Sequence, residues 1–228
     1  MCATCGCGDI HSHTHAHEEI TLEQKVLAKN DELAAANRAF LEMNEITAIN
    51  LMSSPGSGKT TLLERSIRDL RGRKIAVIEG DQETVLDAER IRSTGCPVVQ
   101  INTGAGCHLD AAMLRDALER LQPERRALLF VENVGNLVCP ALFDLGERGK
   151  VVVISVTEGT DKPLKYPYMF ATADLVVVNK VDLMPYVDFD LGACRAHIAS
   201  VNPKAEVLAL SATRGDNLDS WYDWLAAA

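Results

Sequence analysis

Three features of the sequence predict an α/β fold, three layers deep, with a mostly parallel sheet covered by helices on both faces. Short unbroken apolar runs recur along the chain, segments of helical periodicity separate them, and a Gly-rich turn joins the first run to the helix after it. A strand buried on both faces loses the in–out alternation of a half-exposed one, so runs such as Lys-Ile-Ala-Val-Ile-Glu at 74–79 read as central strands.

Residues 1–18 stand apart, with three cysteines, two glycines, four histidines and no hydrophobic period. They read as a flexible, metal-binding tail. Residues 19–228 read as one domain with a preceding helix. That helix is expected from Thr21 to about Asn44, where Leu22, Val26, Leu33 and Phe40, with Leu27, Leu41 and Met43, form an apolar stripe. Thr21 and Gln24 resemble a capping box. Strands are expected at 46–53, 74–79, 97–102, 127–132, 151–156, 174–179 and 206–210. Helices are expected at 60–70, 84–94 and 109–121, with a last one capped by Asn217 and carrying Trp221, Trp224 and Leu225.

The chain of 228 residues is long enough to bury a core without covalent staples. Its net charge of −9 argues against nucleic acid or an anionic membrane as the main partner, since both select basic patches. No run approaches the ~20 apolar residues of a membrane span. The start, Met-Cys-Ala-Thr-Cys, has neither a basic nor an apolar signal region, so a cytoplasmic protein is expected. In that setting seven cysteines, three of them within the first seven residues, favour metal chemistry over disulfides.

Ser53-Ser54-Pro55-Gly56-Ser57-Gly58-Lys59-Thr60-Thr61 lies between an expected strand and an expected helix, the context of a phosphate-binding P-loop. Gly56 and Gly58 let backbone N–H groups, with Ser57 and Thr61 beside them, close around phosphate oxygens. Lys59 supplies charge to the β- and γ-phosphates, and Thr60 a hydroxyl to Mg²⁺. Ser53 stands where the usual motif has its first glycine.

Asn179-Lys180-Val181-Asp182 ends a strand and resembles the guanine-recognition motif. The Asp182 carboxylate can accept from both N1–H and the 2-amino group of guanine, whereas adenine would leave it unpaired. Asn179 can reach the N7/O6 edge, the Lys180 stem can lie along the ring, and Ser211-Ala212-Thr213 resembles the second base-contact loop. The nucleotides implied are GTP and GDP. Glu79-Gly80-Asp81 ends the second strand, with Asp81 a candidate for Mg²⁺ or its waters. Glu132-Asn133-Val134-Gly135 ends another strand, where GTPases carry Asp-x-x-Gly. Glu132 suits a water-mediated metal contact, and the Gly135 N–H can sense the γ-phosphate. Asn136 takes the place of a water-orienting amide but is short, so slow hydrolysis is expected. Asp87 and Arg90 read as a solvated helix face, with a switch as the alternative.

Cys2, Cys5 and Cys7, with the nearby α-amine, can supply four soft or borderline donors to one ion, against a redox pair or incidental cysteines. His11, His13, His15 and His17 share one face of an extended chain and read as a weak metal buffer or a merely solvated tract. Cys107 and His108 are expected to open a helix, with Cys139 four residues past Gly135. The two thiols and one imidazole can form an open metal site. Adjacent residues diverge, so a second copy could complete it. A γ-phosphate pulling on Gly135 would then move Cys139 and tune metal affinity, reciprocally. Cys194 and Cys96 read as structural cysteines.

Taken together, Cys-x-x-Cys-Gly-Cys, Ser-x-Pro-Gly-Ser-Gly-Lys-Thr, Gly-Asp-x-x-x-x-x-Asp-Ala-Glu-Arg, Gly-Cys-His-Leu-Asp, Glu-Asn-Val-Gly-Asn-Leu-Val-Cys-Pro and Asn-Lys-x-Asp resemble the nickel-incorporation GTPases of the HypB family, over essentially the whole chain. The resemblance implies a dimerising GTPase of the signal-recognition-particle/MinD-like (SIMIBI) class. It implies a tight nickel site at Cys2, Cys5 and Cys7, and a weaker nickel or zinc site (Ni²⁺ or Zn²⁺) at Cys107, His108 and Cys139 near the dimer interface. It further implies nickel transfer, aided by a HypA-type metallochaperone, to the [NiFe]-hydrogenase large-subunit precursor. A urease accessory GTPase would show Cys-Pro-His in place of Cys107-His108. A plain metal buffer would work without Lys59. A targeting GTPase would need a Met-rich signal-binding domain.

Overall fold

The computed structural model describes residues 12–81, 86–104 and 106–228, with side chains from Gln24 onward and without that of Leu86. Cys2, Cys5, Cys7 and His11 lie outside these residues.

Seven strands form one sheet in the order β3-β2-β4-β1-β5-β6-β7: β1 Thr47–Ser53, β2 Ile75–Asp81, β3 Val98–Asn102, β4 Leu128–Gly135, β5 Gly149–Ser155, β6 Leu175–Asn179 and β7 Glu206–Ala209. Every pairing is parallel, so the mostly parallel sheet is entirely so. Successive side chains on each strand feed opposite layers. Ile49 and Leu51 of β1 and Phe130 of β4 pack on one face against α2 (Lys59–Asp69), α3 (Leu86–Arg92) and α8 (Leu218–Ala227), through Leu62, Leu63, Ile91, Trp221 and Leu225. On the other face Ala48, Leu129 and Val131 meet α1 (Ser12–Met43) and α4 (Ala111–Leu121), while Met52 and Val176 meet α6 (Pro167–Ala171) and α7 (Leu191–Val201). Each fully buried Leu or Phe in these layers contributes roughly 1.5–3 kcal/mol. The Trp221 indole N–H donates to Ser66 Oγ at 2.9 Å, so the largest core side chain leaves no polar atom unpaired.

The short helix α5 (Lys162–Lys165) and α6 follow β5, where no helix was expected. Asn217 does stand at the N-cap of α8, but at φ 56° its side chain gives no cap bond to the helix. Its amide instead donates to the Ala209 carbonyl and accepts from the Ser220 hydroxyl.

α1 departs most from expectation. It starts at Ser12, nine residues before Thr21, so Thr21 lies inside the helix rather than capping it, and His13, His15 and His17 are helical rather than extended. The expected apolar stripe is the buried face only in part, at Leu41. Val26, Phe40 and Met43 are exposed, whereas Asn30, Ala34, Asn37 and Leu41 are buried. This face is held by polar bonds. Asn30 donates to the Asp144 carbonyl at 2.8 Å and accepts from Ala111 N at 2.9 Å. Asn37 donates to the Ala111 and Leu145 carbonyls at 2.8 and 3.0 Å. Arg38 makes two bonds to Asp144. Gly146, at φ 90°, passes so close that a Cβ there would lie 2.4 Å from the Ala34 carbonyl oxygen.

Candidate nucleotide and metal site

The strand ends converge on one rim, as in open parallel sheets generally. β1 delivers the P-loop, β2 delivers Glu79-Gly80-Asp81, β4 delivers Glu132 to Gly135, and Lys180 follows β6. Together they line a cleft of about 510 Å³. Gly56 and Gly58 hold φ 76° and 93°, the left-handed region that turns the loop into α2. A Cβ on Gly58 would lie 2.5 Å from Asn179 Nδ2.

Inside the loop, Lys59 Nζ donates to Glu132 Oε1 at 2.9 Å and to the Asn133 carbonyl at 2.8 Å. The Thr60 hydroxyl donates to the same Glu132 oxygen at 2.6 Å. Among the described residues, three buried side-chain oxygens lack a hydrogen-bond partner: Ser57 Oγ, Glu79 Oε2 and Glu132 Oε2. All three belong to residues lining this cleft. Burial, then the charges of Glu132, Asp81 and Asp87, push the Glu79 carboxyl up to about 8, with Lys59 opposing. Unsatisfied carboxylate oxygens beside a hydroxyl fit a hard divalent cation such as Mg²⁺, and a lysine among backbone N–H groups fits a polyphosphate.

The base motif is built differently from its sequence reading. The Asn179 side chain spends its amide on the scaffold, donating to the Ser57 carbonyl at 2.9 Å and accepting from Ala212 N at 3.1 Å and Lys180 N at 2.8 Å. It thereby ties the P-loop to the Ser211–Ala212 loop. Lys180, at φ 62°, lays its stem along the cleft and donates to the Gly56 carbonyl at 2.6 Å. Asp182 stands in the 3-10 turn Val181–Tyr186 that follows. Ser211 and Ala212 are buried, and the Ser211 hydroxyl accepts from Arg214 N.

Asp87 and Arg90 do more than face solvent: both line the cleft, and Arg90 bonds Glu64 at 2.7 Å, Asp87 at 3.2 Å and Thr61 Oγ1 at 3.3 Å. Asn136 is not among the residues that line the cleft. Its side-chain oxygen accepts from the N–H of Val138 at 2.8 Å, just ahead of the 3-10 turn Cys139–Leu142.

That turn carries Cys139, one of three candidate metal ligands. The ligand atoms of Cys107, His108 and Cys139 all lie within 4.8 Å of one another in one chain. Cys107 and His108 do not open α4. They sit in the turn before its cap, Asp110, which accepts from Met113 N. In that turn the adjacent side chains converge rather than diverge, with Cys107 Sγ 3.7 Å from His108 Nδ1. The His108 ring stacks on Phe143 at 3.9 Å. Burial holds the imidazole below its usual range, against Asp110, which favours the neutral ring a metal needs. The hydrogen bond with Cys107, then burial, raises the Cys139 thiol. Two thiols and one imidazole suit nickel and zinc alike. Cys96 and Cys194 are buried elsewhere, with burial pushing each thiol up to about 11.

Three contributors were not anticipated: Phe143 under His108, the Asn30 and Asn37 clamp on the segments flanking the triad, and Glu158, whose carboxylate binds the P-loop Ser54 hydroxyl and Ser155 N. Two asparagines seven residues apart in a helix were the only available signal for the clamp.

Residues 47–209 match the family described as CobW/HypB/UreG, nucleotide-binding domain. Hydrogenase maturation factor HypB of Rhizobium leguminosarum bv. viciae is 58% identical over 207 residues, 90% of this chain and 69% of that protein. The factor of the same name from Escherichia coli (strain K12) is 53% identical over 229 residues, 96% of this chain and 79% of that protein. The crystal structure of HypB from Helicobacter pylori in complex with nickel superposes with a TM-score of 0.81 at 39% identity, covering 87% of this chain and 92% of that one.

Proposed function

This chain belongs to the CobW/HypB/UreG nucleotide-binding family and, within it, to the HypB hydrogenase maturation factors, and we propose from that premise that it is a GTP-hydrolysing nickel carrier. It takes nickel as cargo and passes it, under control of its nucleotide, to the precursor of a [NiFe]-hydrogenase large subunit. The observation that carries this reading is the convergence of Cys107, His108 and Cys139, with Cys139 four residues past Gly135, which lines the cleft.

The residues divide the work. Lys59 and the N–H groups of residues 56–61 hold the β- and γ-phosphates, and Asp182 with the Ser211–Ala212 loop selects guanine. Thr60, with Glu132 and Asp81, would hold Mg²⁺, which supplies charge neutralisation on the phosphates. Gly135 N–H faces the γ-phosphate position. Asn136, committed to Val138 N, does not orient a water, which favours a slow intrinsic rate. Movement of Gly135 reaches Cys139 through four residues of chain and changes metal affinity. Cys107, His108 and Cys139 hold nickel, or zinc in its place, and a second copy of the chain can supply the open position. Cys2, Cys5 and Cys7 form a separate, tighter nickel site. Among the described residues no helix is long and apolar enough to cross a membrane. The reading places the protein in the cytoplasm, with a HypA-type metallochaperone as partner.

The test is complementation in a hydrogenase-producing cell lacking its own HypB-type factor. The unchanged chain should restore nickel-dependent hydrogenase activity, while Lys59→Ala and Cys139→Ala should each fail. Restoration by Lys59→Ala would reduce the protein to a metal buffer.

A further inference from the structure

The phosphate cleft and the metal triad are joined inside the core by one side chain. Asn133 is fully buried, and its carbonyl and both polar atoms of its side chain are hydrogen-bonded. Its carbonyl accepts from Lys59 Nζ at 2.8 Å. Its Oδ1 accepts from Val134 N at 3.0 Å and from Leu109 N at 3.1 Å, and its Nδ2 donates to Asn50 Oδ1 at 3.3 Å.

Leu109 is the residue next to His108. Its side chain is fully buried against Gly80, where a Cβ would lie 2.7 Å from Leu109 Cγ. Leu109 is therefore fixed from two sides by strand ends of the phosphate cleft, and it fixes the turn that presents Cys107 and His108. The segment that carries Phe143, four residues past Cys139, is tied to the same network. Asn50 Nδ2 donates to Glu147 Oε1 at 3.0 Å, and Glu147 Oε2 accepts from Leu145 N at 2.7 Å. Leu145 lies two residues beyond Phe143, the ring on which His108 stacks.

We propose that Asn133 is a positioning residue that sets the geometry of the Cys107–His108–Cys139 triad according to what Lys59 binds. The proposal rests on the reading that nucleotide state controls metal release. Phosphate oxygens compete with the Asn133 carbonyl for the Lys59 ammonium, so the Asn133 peptide is held differently by different nucleotides. Close packing leaves its side chain no room to absorb the change, and a fully bonded network passes displacement on rather than dissipating it. The displacement arrives at the Leu109 amide and hence at His108. This route runs through the core, apart from the chain path from Gly135 to Cys139.

The test uses the full chain with Cys2, Cys5 and Cys7 replaced by Ser, titrated with Ni²⁺ in the presence of GDP and of guanylyl imidodiphosphate. Coupling between two sites is ordinarily about 5–150-fold in affinity. The ratio of the two nickel affinities should fall in that range for this chain and drop below about 2-fold with Asn133→Ala. A merely structural role would weaken nickel equally with both nucleotides and leave the ratio intact, and that result overturns the proposal. A ratio of one before Asn133 is touched overturns the nucleotide-control reading itself, and the proposal with it. Should Asn133→Ala not fold, amide exchange at Leu109 in the unsubstituted chain decides. A rate that changes on replacing GDP by the analogue supports the route, and an unchanged rate overturns it.

Discussion

The ammonium of Lys59 lies 2.9 Å from Oε1 of Glu132, the oxygen that also accepts the Thr60 hydroxyl. The lysine is one-tenth exposed and the carboxylate almost fully buried, so neither is screened by solvent. A nucleotide entering this cleft meets a lysine and a carboxylate already positioned against each other.

Lys59→Ala should therefore do two things. Nucleotide affinity should fall about 10- to 100-fold or more, the loss of one charge-assisted contact at ~1.5–3 kcal/mol. The nucleotide-free protein should also unfold at lower temperature, because Glu132 is left buried without its partner. Binding of a fluorescent GTP analogue and a thermal melt measure the two effects separately. Glu132→Gln keeps a partner for Thr60 and is expected to retain nucleotide while losing roughly 100-fold in hydrolysis rate.

Asp182→Ala should abolish discrimination more than binding. The carboxylate is the group that adenine would leave unpaired, so the ratio of GTP to ATP affinity should drop by on the order of 100-fold. Competition of each triphosphate against labelled GDP reads that ratio directly. A ratio that stays high would move base selection to the Ser211–Ala212 loop.

Glu79 makes stability depend on pH. Its folded-state carboxyl titrates near 8, above its ordinary value of 4.5. The folded protein thus holds a proton that the unfolded chain releases between these values, and stability falls as pH rises from about 5 to 8. Without nucleotide or divalent cations, Glu79→Gln should flatten this slope. It should melt closer to the parent at pH 5 and above it at pH 8, at ~1.4 kcal/mol for each unit of pKa separation actually realised. Urea titrations at the two pH values check the sign.

Metal loss should map onto three residues and spare two. With the tail cysteines replaced by Ser, Cys107→Ala, His108→Ala and Cys139→Ala should each weaken nickel by at least ~10-fold, while Cys96→Ala and Cys194→Ala should not. The latter pair is buried away from the triad, with thiols pushed up to about 11. Competition against a chromophoric chelator gives the affinities.

Gly146→Ala should detach α1. A Cβ at this position would lie 2.4 Å from the Ala34 carbonyl oxygen and 2.8 Å from Arg38 N, at a φ of 90°. The expected cost is ~2–4 kcal/mol, or roughly 5–15 °C in melting temperature for a chain of this size. Because Asn30 and Asn37 of α1 grip residues beside both arms of the triad, nickel affinity should fall in the same variant.

The phosphate loop, the Asn-Lys-x-Asp segment and the alternation of strand and helix were legible because each is local. A P-loop is a run of adjacent residues whose backbone conformation its own glycines permit, and a buried parallel strand announces itself as an unbroken apolar run. The sequence by itself therefore determined the fold class and the order of the seven strands, though not α5 and α6. α1 was legible as a helix but not in its orientation, since its buried face is chosen by carbonyls of residues 111, 144 and 145. Convergence of Cys107 and His108 with Cys139, commitment of Asn179 to the scaffold, the raised Glu79 carboxyl and the Asn133 junction were decided by tertiary structure alone. Each depends on which distant groups the packed sheet brings within a few ångströms, and side-chain bonding and burial are properties of that packing rather than of any one segment.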